Sequence, residues 1–321
     1  MEEIGDVRTI VRDLFHREVS GKQGAKRRRI LMVPPGGKSG VQSAGALHAL
    51  EDIGIPANHF DIIGGLSAGS YNGTAYSAGK SHKLRQVYEH LCDVPFLFPQ
   101  WSTGGWTKWG WWYGDFMNLQ YLHDLLTDLG LDDEPRHEWP DLRIGISDSD
   151  GRLSLPSVRH TDSVLRLCRA SSSVAPLTSG VCIDGKRYYD GGHAHPCPIK
   201  EMVRDIYGRG EEVDVLVIAN RPHPRHQTYL EQLAFQYMAL WLPWYSWKLY
   251  DSTRQFDTKM ARTAAMAERR RDWIRIGMLF PSPHDAILQF EGRKWEVQRA
   301  GHTAYWKMTQ LAAECKAARQ I

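Results

Sequence analysis

Apolar runs in this chain are short and alternate with glycine-marked breaks, which is the first clue to its architecture. Arg29 to Val33 is an apolar run stopped by Pro34-Pro35-Gly36-Gly37, and predicts a buried strand ending in a sharp loop. Ser43 to Ile53 follows as a helix, with Gly54 as its stop and Pro56 beyond. Its Ala44, Gly45, Ala46 and Ala49 are small enough to let it sit close on a sheet. Phe60 to Ile63 predicts a second buried strand, and the stretch after Gly69 a second helix. Strand, loop, helix, strand, turn, helix is the order of a parallel sheet covered by helices. Later strands are expected at Leu142–Ile146, Val181–Ile183, Arg187–Tyr189, Val213–Ile218 and Trp273–Phe280. Helices are expected at Thr161–Ala170, Ile199–Tyr207 and Gly301–Ala318, with a mostly helical pattern from Thr228 onward. The first twenty residues read as a short amphipathic helix. No internal repeat or low-complexity linker interrupts the chain.

Composition narrows the class. The 321 residues carry 40 Lys and Arg against 37 Asp and Glu, a formal charge of +3, with 42% hydrophobic and 24% charged residues. That is ordinary globular usage and excludes a disordered, collagen-like or disulfide-scaffold chain. Five cysteines without a CxxC pair point to reduced thiols in a cytoplasmic setting. The charged N-terminal stretch lacks the apolar core of a signal peptide, and no clean run of eighteen apolar residues exists for a membrane span.

Three segments carry candidate chemistry. Gly65-Leu66-Ser67-Ala68-Gly69 is a GxSxG directly after an apolar run, the context of a nucleophilic serine on a tight strand-to-helix turn. Gly65 and Gly69 would be needed where strand and helix leave no room for side chains, although a small-residue turn without chemistry has the same composition. Gly36-Gly37-Lys38-Ser39-Gly40, also between strand and helix, can aim several backbone N–H groups at one point, as an oxyanion requires. Its Gly37-Lys38-Ser39 mimics the end of a phosphate-binding loop, but that motif needs glycine where Met32 stands. Asp190, followed by Gly191 and Gly192, is either a turn aspartate or a base freed to point into a cleft. A free aspartate, with a pKa near 3.9, is a weak base, so burial would have to raise that value. His193 and His195 form an HxH pair without a nearby carboxylate, which fits cleft or surface histidines better than a metal site.

The order of these three blocks resembles the patatin-like phospholipase family. Pro35 to Leu50 (PGGKSGVQSAGALHAL) matches that family's glycine-rich first block, Gly65–Gly69 its GxSxG, and Ala170 to Pro176 with Ile183 to Gly192 its third block, a small-residue run, hairpin and DGG. Asn220-Arg221-Pro222 after the strand near 215–219 also resembles bacterial members. The resemblance spans roughly residues 28 to 320. It implies a three-layer α/β/α fold with a mostly parallel sheet and hydrolysis of lipid acyl esters, without metal or cofactor. By position Ser67 becomes the nucleophile and Asp190 its activator, with no histidine in the pair. Backbone groups of Gly36, Gly37 and Lys38, joined by Ala68, become the oxyanion hole. Two departures stand out: Pro35, which has no N–H, replaces the first loop glycine, and Ser39 occupies the family's basic position.

The expected organisation is an N-terminal helix and basic lead-in over 1–27 and a catalytic domain over 28–321. Within the latter lie an aromatic insertion at about 94–117 and a helical C-terminal part at about 228–321. The insertion holds Trp101, Trp106, Trp109, Trp111 and Trp112 punctuated by glycines, which suits a lid or membrane-interface loop, or else an aromatic cluster packed over the cleft. A second aromatic cluster, Tyr237 to Trp247, suits either an interfacial helix pair or a buried helix. Lys22, Lys26, Arg27, Arg28, Arg29 and Lys38 form a local basic run, read as an attraction for anionic head groups or as a solvated strand lead-in. The expected partners are therefore a lipid substrate and a peripheral membrane surface rather than nucleic acid; oligomeric state is not legible. Two other readings remain at this point: a Ser–His–Asp esterase using His284 or His302, and a lipid-binding protein that kept the fold without activity.

Overall fold

The computed structural model describes residues 1–15, 27–93, 119–128, 130–131, 138–175, 177–207, 209–226, 255–269, 272–287 and 293–318. The aromatic segments around 94–117 and 237–247 lie outside them.

Among the described residues nine strands build one sheet: β1 (Glu2–Gly5), β2 (Arg27–Val33), β3 (Ile62–Leu66), β4 (Asp141–Asp148), β5 (Leu153–Ser154), β6 (Val181–Ile183), β7 (Lys186–Asp190), β8 (Glu212–Ile218) and β9 (Ile274–Phe280). The helices are α1 (Val7–Leu14), α2 (Val41–Asp52), α3 (Ala68–Ser77), α4 (Leu84–Asp93), α5 (Leu119–Asp128), α6 (Val164–Ser171), the single turn α7 (Gly191–Ala194), α8 (Ile199–Tyr207), α9 (Phe256–Glu268) and α10 (Lys294–Ala317). Strand order is β1-β9-β8-β2-β3-β4-β7-β6, with β5 also on β4. The run from β9 through β4 is parallel, and both flanks are antiparallel.

The central strands read as continuous apolar runs because both faces are covered. Ile30 and Met32 of β2 enter one core with Val213, Val215 and Val217 of β8, Met202 of α8 and Met260 of α9. Leu31 and Val33, one residue out of phase, enter the other core with α1, α2, α4 and α6. The result is the expected three-layer α/β/α arrangement.

Several boundaries differ from expectation. The N-terminal stretch opens with a strand, β1, which pairs with β9 at the sheet edge before α1 begins. Val7, Ile10, Val11 and Leu14 of α1 are fully buried, so this stretch belongs to the main core. β3 continues through Gly64 and Gly65 to Leu66. α10 starts at Lys294, seven residues before the expected Gly301, because Val297 and Ala300 already face the core. Gly301 does not break the helix; it is where α10 crosses α2. A Cβ on Gly45 of α2 would lie 2.2 Å from the Gly301 carbonyl oxygen, so the two backbones meet with nothing between them.

Of the basic run, Lys22 and Lys26 lie outside the described residues, and the remaining members are turned to different partners by the fold. Arg27 pairs with Glu212 and Asp214, and Arg28 with Asp61 and Glu211, all at the N-terminal end of β2. Residues 65–69 lie at the C-terminal end of the neighbouring β3, a strand's length away, about 20 Å. Lys38 is buried rather than presented on the surface.

Candidate active site

Ser67 sits between β3 and α3 with φ 53° and ψ −126°, a conformation that ordinarily belongs to glycine. Holding a side-chain-bearing residue there costs about 1–3 kcal/mol and aims the side chain away from both elements. The flanking glycines explain how the turn fits. A Cβ on Gly69 would lie 2.0 Å from the Val33 carbonyl oxygen, and one on Gly65 would lie 2.5 Å from the Gly69 carbonyl oxygen. The Ser67 N–H donates to Ser171 Oγ at 2.8 Å, and Ser171 Oγ donates to the Gly145 carbonyl at 2.6 Å. The C-terminal end of α6 thereby pins the turn to β4. Ser67 stands at the N-terminus of α3, whose dipole favours negative charge on its oxygen.

Asp190 is the last residue of β7, the second strand of a hairpin that turns at Asp184 and Gly185, both at positive φ. β7 pairs antiparallel with β4, which itself lies beside β3. One strand, β4, thus lies between the strands that carry Ser67 and Asp190 and fixes their spacing, although the two residues are 123 positions apart in the chain. The Ser67 hydroxyl lies near enough to the Asp190 carboxylate to oppose the effect of burial on it. The Gly192 N–H donates to Asp190 Oδ1 at 2.7 Å, and Ser147 Oγ donates to the Asp190 carbonyl at 2.8 Å. Burial pushes the carboxyl up from its ordinary 3.8 to about 7, against the pull of the Ser67 and Gly192 donors on its side chain. A Cβ on Gly191 would meet the Gly145 carbonyl oxygen at 2.4 Å, which is why the residue after the aspartate is glycine.

The glycine-rich loop lies against both groups. Pro35 Cγ would lie 3.0 Å from a Cβ on Gly192, and Gly40 faces Ala68 closely enough that a Cβ would meet its methyl at 2.8 Å. Gly36 is extended, Gly37 takes φ 55°, and residues Gly37–Gly40 form one 3₁₀ turn that leads into α2. The Ser39 hydroxyl and N–H both turn back to the Gly36 carbonyl, at 2.6 and 3.1 Å. Ser39, at the family's basic position, therefore closes the turn from within. The candidate oxyanion residues Gly36, Gly37, Lys38 and Ala68 are brought beside the Ser67–Asp190 pair.

The histidines serve other contacts. His193 is buried, and burial lowers its pKa to about 4, which keeps it neutral; its Nε2 accepts the Ala175 N–H at 3.2 Å. His195 Nδ1 accepts the Cys197 N–H at 3.1 Å. Among the described residues no group of three His, Cys, Asp or Glu is placed to hold a metal. His302 meets Arg85 on the exposed side of α10. A cavity of about 580 Å³ bounded by Arg28, Asp61, Asp141, Arg143 and Arg159 opens at the other end of the sheet, where Arg28 pairs with Asp61 and Arg143 with Asp141. It belongs to the strands' N-terminal ends rather than to the site.

Three polar residues to which sequence reasoning gave no role organise the site: Ser171, Asn72 and Asn220. The only signals for them were the serine run at 171–173 and the asparagine after β8.

A serine on a strained strand-to-helix turn beside a buried aspartate, on an α/β/α sheet, is an arrangement suited to a serine hydrolase. A family model described as patatin-like phospholipase matches residues 36–203, more than half of the chain. The chain belongs to that family. It is 24% identical over 210 residues to Lysophospholipase nte1 of Aspergillus terreus, covering 62% of this chain and 12% of that protein. It is 28% identical over 192 residues to Lysophospholipase NTE1 of Cryptococcus neoformans var. neoformans serotype D, covering 55% of this chain and 11% of that protein. The chain thus spans only about an eighth of the length of these curated relatives. Among solved structures it is similar to VipD from Legionella pneumophila, with a TM-score of 0.44 and 13% identity over 92% of this chain and 69% of that one.

Proposed function

We propose that the protein is a lipid acyl hydrolase that cleaves carboxylic esters of phospholipids or lysophospholipids through an acyl-enzyme on Ser67. The observation that carries this reading is Ser67, held on a strained turn, beside a buried aspartate whose pKa burial raises to about 7. A carboxylate of that basicity accepts the hydroxyl proton far better than an ordinary aspartate near 3.8. Ser67 Oγ attacks the ester carbonyl and its proton passes to Asp190. The carbonyl oxygen becomes an oxyanion facing the N–H groups of Gly36, Gly37, Lys38 and Ala68. Collapse expels the alcohol or lysolipid, which takes the proton from the carboxylic acid of Asp190. Water then attacks the acyl-enzyme, giving its proton to Asp190, and the fatty acid leaves as Ser67 regains a proton.

Incubating the purified protein with mixed phospholipid vesicles is expected to release fatty acid and lysolipid, read by mass spectrometry, and a fluorophosphonate probe is expected to label Ser67. A folded protein that neither releases fatty acid nor reacts with the probe would favour lipid binding without catalysis.

A peripheral membrane contact is part of the same proposal. Trp295 and Trp306 on α10 are 57% and 65% exposed, and eleven residues of helix bring both to one face about 16 Å apart. Arg293 lies over the Trp295 ring at 5.5 Å, and Arg85 and His302 flank the same face. Indoles with cationic neighbours suit the head-group region of a bilayer. Replacing both tryptophans by alanine is expected to weaken vesicle binding about tenfold or more in sedimentation assays, with hydrolysis of a soluble short-chain ester unchanged. Among the described residues no helix is long and apolar enough to cross a membrane. None of the five cysteines forms a disulfide, which supports a thiol-reducing, cytoplasmic setting.

A further inference from the structure

The loop between β2 and α2 departs from its relatives at Pro35 and Ser39, yet it must hold its N–H groups still for an oxyanion to form. We infer that two buried amides, Asn220 and Asn72, are the positioning residues that hold this loop against the Ser67 turn. The inference rests on the proposed hydrolase reading and specifies how its site is kept in register.

Asn220 follows β8, the strand beside β2. Its Nδ2 donates to the Pro34 carbonyl at 2.6 Å and its Oδ1 accepts the Ser43 N–H at 3.1 Å. A carbonyl only accepts and an N–H only donates, so the amide orientation is fixed by its partners. One side chain therefore spans the whole loop, from the residue that leaves the strand to one that has entered the helix. It also packs flush on the loop: a Cβ on Gly36 would lie 2.4 Å from Asn220 Cβ.

Asn72 approaches from the opposite side. It stands on α3, five residues after Ser67. Its Nδ2 donates to the Gly40 carbonyl at 2.8 Å and to Ser43 Oγ at 2.7 Å, while its Oδ1 accepts the Tyr88 hydroxyl at 3.0 Å. Both asparagines are almost completely buried, so every one of these bonds is made out of reach of bulk solvent. Asn72 ties the loop to the helix that begins at the nucleophile. Asn220 ties it to the neighbouring strand. Ser43 is bonded from both sides, and the loop has no freedom to slide along the sheet.

The functional consequence follows from distance. Oxyanion donors act within about 2.7–3.1 Å of the developing charge, and a displacement near 1 Å costs roughly a hundredfold in rate. The two amides need not touch substrate to set that distance.

The test compares wild type with Asn220→Ala, Asn220→Asp, Asn72→Ala and the pair Asn220→Ala/Asn72→Ala. Met278→Ala, a buried change on β9, serves as a stability control. Assays use a soluble short-chain ester, fluorophosphonate labelling and thermal unfolding, at a temperature well below each Tm. The expected result is a fall in kcat of roughly 10–100-fold for the asparagine variants, with KM within about threefold and labelling of Ser67 slowed in proportion. Met278→Ala, with a comparable loss of Tm, is expected to keep wild-type kcat. The double variant should lose less than the product of the single losses, because both side chains secure one loop. Asn220→Asp keeps the side chain's volume and its acceptor toward Ser43 but sets a carboxylate oxygen against the Pro34 carbonyl, so it reads the clamp even if Asn220→Ala fails to fold. Asparagine variants that turn over and label at the wild-type rate overturn the clamp alone. Kinetic loss shared equally by Met278→Ala reduces it to general stability and also overturns it. A folded wild type that neither labels nor turns over removes the hydrolase reading and the clamp together.

Discussion

Ser67→Ala is expected to abolish fatty-acid release, with kcat lower by roughly 10⁴-fold or more, since the bond-forming atom is removed and only the surrounding donors remain. The same position carries a second, independent expectation. With φ 53° and ψ −126°, Ser67 is strained in a way that alanine shares and glycine does not. Relief of about 1–3 kcal/mol of strain outweighs the roughly 0.5–1 kcal/mol that glycine loses through greater freedom of the unfolded chain. Ser67→Gly should therefore be as inactive as Ser67→Ala yet melt a few degrees higher. Calorimetry on the two variants checks the stability half and the vesicle assay the catalytic half. Wild-type turnover in Ser67→Ala would remove this serine from the mechanism, and equal Tm values would remove the strain argument.

Asp190→Asn has the second largest expected effect, a fall in kcat of about 10³–10⁴-fold, because an amide cannot take the serine proton. In the wild type the base must be ionised, so kcat/KM should fall about tenfold for each pH unit below an apparent pKa near 7. The same shift makes stability depend on pH. The folded carboxyl holds its proton up to about pH 7, whereas the unfolded one loses it near 3.8. Between those values the folded state binds more protons, so stability is fully present below the unfolded pKa and declines as pH rises toward 7. The loss is on the order of 4 kcal/mol and complete above the folded pKa. An amide at this position would not ionise, while its oxygen could still accept from Gly192. Asp190→Asn should thus match the wild type in Tm near pH 4 and exceed it near pH 8. A difference that stays flat across this range would mean the carboxyl is not buried as described.

The parts of this site that could be read from sequence are those where the backbone itself demanded a residue type. Gly65 and Gly69 are forced by contacts of 2.5 and 2.0 Å, and Gly191 by one of 2.4 Å, so the serine turn and the aspartate leave a trace in any sequence that makes them. The parallel core was legible for a similar reason: strands covered on both faces exclude most polar side chains. Ser171, Asn72 and Asn220 left little trace, because each acts on a segment far away in the chain and polar residues of that kind are common on surfaces. The ion pairs of Arg27 and Arg28 left no trace on the same grounds. The partners Asp61, Glu211, Glu212 and Asp214 are distant in sequence and are brought alongside Arg27 and Arg28 only by parallel pairing of β2 with its neighbours. Likewise β1 is too short and polar to announce itself, and exists because β9 offers it an edge.

The order of strands also governs how this chain can be divided. The segment 36–203 that carries the family likeness holds both Ser67 and Asp190, yet it begins after β2 and ends before β8. In the sheet those two strands lie side by side at the centre, with β3 beyond β2. Excising the matched segment would leave β3 as a raw edge and strip the Gly36 loop of both the strand that delivers it and the asparagine beneath it. A transplant of this chemistry into another scaffold therefore has to carry β2, β8 and β9, with α10 as the brace across α2. The portable unit is the whole sheet, and its borders are drawn by hydrogen-bonded neighbours rather than by the limits of sequence likeness.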